Sequence, residues 1–261
     1  DIIILSTFNG LGEVVIYSTY LLYTSTLKSL LSKISTAFLG SIGNIIVEDK
    51  KDSFRVFKEY NAFIHYIAII VGLQFFFSID DFIKIWYTGE VVTQINISIL
   101  FTLVLVYNII RLPLTTFTES AGLFKETRIC PVLEAIINLI LSLILIKPLG
   151  MAGLLLGTFL SLVLSEYFLK PHIIFEKVFE KKSLEYYKMS YKFILIILIE
   201  IFIVYLIKIN INVTGMLNWF IYSAIFGVCN IIIVTILFII FKEDFFTKRI
   251  KQIFIREDKN N

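Results

Sequence analysis

Cysteine, histidine and proline are scarce here, with only two, two and four among 261 residues. Cys130 and Cys229 lie far apart in the chain, which argues against a disulfide and leaves no cysteine metal site. His65 and His172 have no neighbours at ligand spacing, so both are expected to be structural or interfacial. No metal and no cofactor is implied. Charged residues make up only 17% and the net charge is +3, too mild for a nucleic-acid binder. A hydrophobic share of 57% and a mean hydropathy of +0.85 exclude an ordinary soluble domain. Nothing resembles a removable signal peptide. The apolar run Ile2 to Leu5 is too short to cross a bilayer and reads as the end of an earlier helix, so the chain is expected to continue a longer protein.

What the chain does have is apolar length. A hydrocarbon core of ~30 Å needs about 20 apolar residues per helix. Seven stretches qualify, near 13–46, 62–79, 95–118, 131–146, 151–169, 192–208 and 217–241. If each crosses, the connectors alternate sides. Eighteen of the 24 Lys and Arg residues fall in one set: 47–61, 119–130, 170–191 with the adjoining Lys192, and the tail from 242. The opposite set holds only Lys84, Lys147 and Lys208. Basic connectors stay cytoplasmic, so the start of the chain is expected outside and its C-terminus inside.

The outer connectors, the longest near 80–94, are too short to house a catalytic domain. The inner connectors 48–60 and 170–191 mix charge with Phe and Tyr and read as amphipathic helices on the inner surface. The resulting division is a helix remnant over 1–12, five spans over 13–169, an amphipathic connector over 170–191, two further spans over 192–241 and a tail over 242–261. At ~1.5 Å per residue, the stretch 13–46 would measure about 50 Å, so a tilt or a bend near Gly40 and Gly43 is expected.

Several polar side chains fall where lipid is expected, and such groups usually face the protein interior. Lys28 and Lys33 lie in the first span, about 140° apart around a helix. Lys33 can snorkel to the headgroups. Lys28 is deeper and fits a polar cavity equally well. Arg111 precedes Pro113, which frees the carbonyl of Ile109 and favours a kink. A buried arginine there could grip phosphate with two hydrogen bonds, or snorkel if it lies near the interface. Glu134, Asn138 and Ser142 make one stripe at helical spacing. Glu134 also suits a helix start after Pro131, and Asn138 needs a partner on another helix. Gly153, Gly157, Ser161 and Ser165 form a small-residue stripe for close packing. Glu166 and Glu200 stand as isolated acids, for proton coupling or for pairing.

One long run carries more than composition. It comprises Arg111 and Pro113, then Gly122-Leu123-Phe124, Thr127-Arg128, Pro131, Glu134-Ala135, Asn138-Leu139 and Ser142. Gly150, Gly153 and Gly157-Thr158 follow, then Lys170-Pro171-His172 and Val178-Phe179. The opening from Asp1 to Ser6, with Val15, Tyr17, Tyr20 and Ser41-Ile42-Gly43-Asn44, fits the same pattern. This resembles the polysaccharide-biosynthesis flippases, the Wzx-type members of the MATE-like MOP exporter superfamily. The resemblance runs to about Phe179, and the last two spans match in character only.

The resemblance implies an all-α, polytopic membrane helix bundle: the second lobe of a MATE-like flippase plus two extra C-terminal helices. The N-terminal lobe of the same protein would be missing. The implied activity is movement of undecaprenyl-pyrophosphate-linked oligosaccharide repeat units from inner to outer leaflet, by alternating access, for capsule, O-antigen or exopolysaccharide. That is transport in a bacterial plasma membrane, not enzymatic catalysis. The implied partners are the bilayer, the lipid-linked oligosaccharide, the missing lobe and a polysaccharide polymerase, with no nucleic acid. Assigning pyrophosphate or sugar contacts to Arg111, Lys28 and Lys33 follows from their type and depth, not from a motif. Two readings compete. One is a cation-coupled multidrug exporter of the same superfamily, which should carry deep acids. The other is a membrane-embedded polysaccharide-assembly enzyme, which should carry a large outer loop or clustered His and Asp.

Overall fold

A computed structural model describes residues 1–48, 50–88, 94–209 and 213–240. The tail over 242–261 and Gly89 lie outside the described residues. Among the described residues there is no strand. A backbone without water must satisfy its own N–H and C=O groups, and a helix does so within one segment.

The chain opens with α1 (Ile2–Asn9) and α2 (Leu11–Ala37). Gly10 separates them at φ +87°, a left-handed conformation natural to glycine. The chain then bends by 41° into α3 (Leu39–Glu48). The break lies at Phe38, just before the expected Gly40. Next comes α4 (Lys50–Trp86), unbroken over 37 residues or ~55 Å. It absorbs 48–60 almost entirely, so no separate surface helix forms there. The cause is packing: Phe57 is fully buried against Phe117, Phe175 and Phe179.

The next crossing is α5 (Ile95–Ile110) followed by α6 (Leu112–Ser120), then the short α7 (Phe124–Thr127). After it, α8 (Ile129–Leu162) is two antiparallel arms. Gly150, at φ 55° and ψ −136°, reverses the chain between them. A Cβ at Gly153 would collide with the carbonyl oxygen of Leu145, and one at Gly157 would lie 2.9 Å from the amide nitrogen of Ser142. The small-residue stripe is thus the seam of a helical hairpin. A π-helical turn (Val163–Tyr167) leads into α9 (Leu169–Lys177), and α10 (Leu184–Ile209) and α11 (Met216–Ile240) complete the bundle. Instead of one amphipathic helix over 170–191, α9 stops at Lys177 and α10 starts at Leu184. The turn between them is pinned by Lys181 N–H donating to Phe175 O, 2.8 Å.

Among the described residues, five segments are long and apolar enough to cross a membrane, or six if α2 and α3 count as one bent span. One of the five, 124–177, is the segment that folds back at Gly150. The protein is therefore an all-helical bundle with the character of a multi-pass membrane protein. Its centre is α4 with α5 and α6, where 61% and 67% of the most apolar stretch is buried. The hairpin segment and α11 bury only 17% each and form the periphery.

At one end the basic connectors meet: Lys177 Nζ lies 2.8 Å from Glu126 Oε1, and Lys181 sits 4.5 Å above the Phe54 ring. At the other end Phe82 packs on Trp86 and Trp219, and the Trp219 indole donates to Ser78 O at 2.9 Å. Asp80 and Ser78 belong to α4, so the expected connector starts further along.

Candidate functional site

Two helices break at the same level, and the charges gather there. The first break separates α5 from α6 at Arg111, whose φ of −77° and ψ of −13° still lie near helical values. Pro113 follows, buried in the first turn of α6. Its ring nitrogen cannot donate to Ile109, so the helix is weakened where the arginine projects. The Arg111 N–H keeps its bond to Tyr107 O at 3.2 Å. The second break is the π-helical turn, which carries Glu166. Such a turn fits an extra residue into a helix and re-aims its side chains.

Between the breaks lies an ion lattice. Arg111 Nη1 donates to Glu166 Oε2 at 2.8 Å and reaches Glu134 Oε2 at 3.4 Å. The other oxygen of Glu166 lies 2.6 Å from Lys170 Nζ. Lys170 Nζ also reaches Thr115 Oγ1 on α6 at 3.5 Å. The Glu166 side chain is 6% exposed and Lys170 11%, against 19% for Arg111 and 28% for Glu134. Burying one ion of such a set without its partner would be costly, which explains why they come together.

Two cavities adjoin the lattice. The larger, about 480 Å³, is lined by Arg111, Glu134, Asn138, Glu166 and Asp1 among others. The smaller, about 220 Å³, is lined by Lys28, Thr24, Asn108, Thr158 and again Glu134 and Asp1. Lys28, although exposed like Lys33, thus lines a cavity with polar residues, and Glu134 lines the cavities of both basic positions. Lys33, five residues on, is exposed and lines neither cavity. Across the hairpin, Asn138 Nδ2 reaches Thr158 Oγ1 at 3.5 Å, and Ser142 donates to Asn138 Oδ1 at 2.9 Å. Asn138 therefore finds its partner on the opposite arm. Asp1 Oδ2 accepts from Tyr17 at 3.1 Å and from Thr158 at 3.4 Å.

Of the two roles open to Glu166 from sequence, the structure shows the paired one. Glu166 is the centre of the lattice. Lys170, counted among the connector lysines, is buried inside the bundle. The one sequence signal for their pairing is the four-residue spacing on one helix, which favours Glu before Lys. Asp80 was also hidden. It is buried and accepts hydrogen bonds from Tyr20 and Ser98, near the end opposite the basic connectors. His65 is fully buried beside Phe193, with ring centroids 4.5 Å apart, and His172 is exposed near Glu176. The two cysteines are free. No model of a known protein family, no curated protein and no solved structure matches the chain.

Proposed function

We propose that this chain is one lobe of a membrane flippase for undecaprenyl-pyrophosphate-linked oligosaccharide. The observation that carries this reading is that Arg111 and Lys28 line two adjoining polar cavities beside an ion lattice that also holds the buried Lys170. Charges held within membrane-spanning helices mark a path for a polar substrate. A sugar diphosphate cannot cross hydrocarbon unaided, because each desolvated polar group costs free energy. A guanidinium grips phosphate oxygens with two parallel hydrogen bonds, and Lys28 adds a second point of positive charge. The two helix breaks beside the site provide elements that can move in alternating access. A first lobe of the same protein would close the path, and a polysaccharide polymerase would receive the product. The membrane would be a bacterial plasma membrane with the basic connectors and C-terminus in the cytoplasm.

The test is surface polysaccharide normalised to membrane protein level in cells carrying Arg111 variants. Arg111→Ala and Arg111→Gln are expected to stop transport with the protein still inserted. Arg111→Lys should be partly impaired, since it keeps charge and loses the fork. Normal polymer from well-expressed Arg111→Ala would remove this residue from the mechanism.

A second reading has an observation in its favour. Glu134 and Glu166 place acids beside Arg111, as a cation-coupled exporter of the same superfamily requires. Drug efflux that responds to an imposed proton or sodium gradient, with polysaccharide unaffected by Arg111→Ala, would favour that exporter.

A further inference from the structure

Arg111 is shared by two carboxylates, and they are not equivalent. Glu166 is buried, sits 2.8 Å from Arg111 and uses its second oxygen on Lys170 at 2.6 Å. Withdrawing it would leave the buried Lys170 without its carboxylate and Arg111 with only its longer contact to Glu134. Glu134 has a single ionic contact at 3.4 Å and is more exposed. It comes from a different helix arm and lines both cavities.

The arginine is not saturated either. All of its side-chain hydrogen bonds leave from Nη1, so Nη2 and Nε donate to nothing among the described residues. Lys28 forms no ion pair among the described residues, yet it lines the cavity that Glu134 also enters. The cations Lys28, Arg111 and Lys170 are matched in number by Glu134, Glu166 and the Asp1 side chain. An incoming anion therefore adds charge to a balanced site unless it replaces a carboxylate. Glu134 is the one that can leave at least cost.

We infer that Glu134 is a displaceable carboxylate, occupying the anion position between Arg111 and Lys28 and yielding it to a diphosphate. The inference rests on the lipid-diphosphate reading above. It gives that site a selectivity. A monophosphate that expels Glu134 exchanges one carboxylate contact on Arg111 for one of its own. A diphosphate carries more negative charge and can reach Arg111 from one phosphate and Lys28 from the other. When it leaves, Glu134 returns, which limits residence time and favours release.

The test uses the full chain in lipid nanodiscs, with inorganic pyrophosphate and inorganic phosphate as probes and calorimetry as the readout. If Glu134 fills the site about nine-tenths of the time, removing its charge should tighten pyrophosphate binding about tenfold. Glu134→Gln keeps the shape, and Glu134→Ser checks the result with a smaller side chain. Both should bind pyrophosphate more tightly than wild type and discriminate less against phosphate. Arg111→Ala should lose binding of both probes. If the Glu134 variants match wild type while Arg111→Ala loses pyrophosphate, the displaceable carboxylate is overturned and the diphosphate reading stands. If neither wild type nor the Glu134 variants bind pyrophosphate above Arg111→Ala, both fail.

Discussion

The two sides of the central pair, α4 and α5–α6, solve the problem of polar groups in a bilayer differently. On the side of α1, α2 and α8, polar groups are charged, paired with one another and set beside cavities. On the side of α10 and α11, they are mostly neutral and bond to backbone. Asn230 donates to Ile70 O at 3.0 Å, Gln74 donates to Ser223 O at 3.1 Å, and Tyr66 meets Thr235 at 2.9 Å. Aromatic stacking fills the rest, with Phe77 and Phe226 4.0 Å apart. Several buried atoms on this side lack a hydrogen-bond partner among the described residues: His65 Nε2, Glu200 Oε1 and Asn230 Oδ1. The backbone differs too. Ions collect where helices break, at Arg111 and at the π turn, whereas α4, α10 and α11 run unbroken. Irregular backbone within a membrane is tolerated where it lines a polar cavity, so breaks and ions belong together. The charged side has such atoms too: among the described residues Glu13 Oε2 and Ser35 Oγ on α2 have no hydrogen-bond partner, nor has Asn108 Oδ1 at the smaller cavity.

The contrast is most exposed at its centre. Glu166→Leu leaves Arg111 and Lys170 buried without their shared carboxylate, and only Glu134 remains near Arg111. A loss of about 3–5 kcal/mol is expected, the range for breaking a buried ion pair from one side. Thermal unfolding in detergent measures it. A melting temperature within a degree or two of wild type would mean that the lattice contributes little to the fold. It would also erase the energetic difference between the two sides.

A smaller effect tests the hairpin that carries Glu134 and leads into the π turn of Glu166. At Gly153 an added Cβ would meet the carbonyl and carbon of Leu145, which are backbone atoms and cannot rotate away. Gly153→Ala should force the arms apart and cost about 1–3 kcal/mol, as overpacking does. Gly12→Ala, where nothing lies within 4 Å of the new Cβ, should be neutral or slightly stabilising. Similar unfolding temperatures for the two variants would show that the hairpin seam is looser than its geometry.

Much of this was legible in the sequence, for a reason tied to the bilayer. Apolar length marks a crossing because a buried backbone has no alternative to the helix, so the described residues of all seven stretches are largely helical. Pro113 announced the break beside Arg111, and the four-residue spacing of Gly153 and Gly157 announced close packing. What remained hidden depends on residues far apart in the chain. Arg111 and Glu166 are brought together by the reversal at Gly150 and the π turn, neither of which leaves a periodic signal. The stretch 48–60 looked like a surface helix because its apolar partners, Phe175 and Phe179, lie more than a hundred positions on. Asp80 and Asp81 looked like the start of a connector because adjacent acids lower hydropathy. The hydroxyls that bury Asp80 come from two other helices.

The smallest expected effect has the opposite sign and lies on the other side of α4. Glu200 is 4% exposed, and its Oε1 has no hydrogen-bond partner among the described residues. It shares the buried face of α10 with Phe193, Ile196, Ile197 and Val204, while Leu198, Ile199 and Phe202 are exposed. A carboxyl in that setting keeps part of its desolvation cost uncompensated. Leu fills a similar volume and removes the cost, so Glu200→Leu should stabilise the fold by about 1 kcal/mol. The matched experiment is Glu166→Leu and Glu200→Leu melted side by side, with surface polysaccharide measured for each. A loss at Glu166 and a gain at Glu200 sharpens the contrast between a paired, cavity-lining acid and an unpaired, packed one. A comparable loss at Glu200 would show that it has a stabilising role in the fold. Stabilisation accompanied by loss of transport would break the comparison differently, because the packed side would then hold a functional acid outside the lattice.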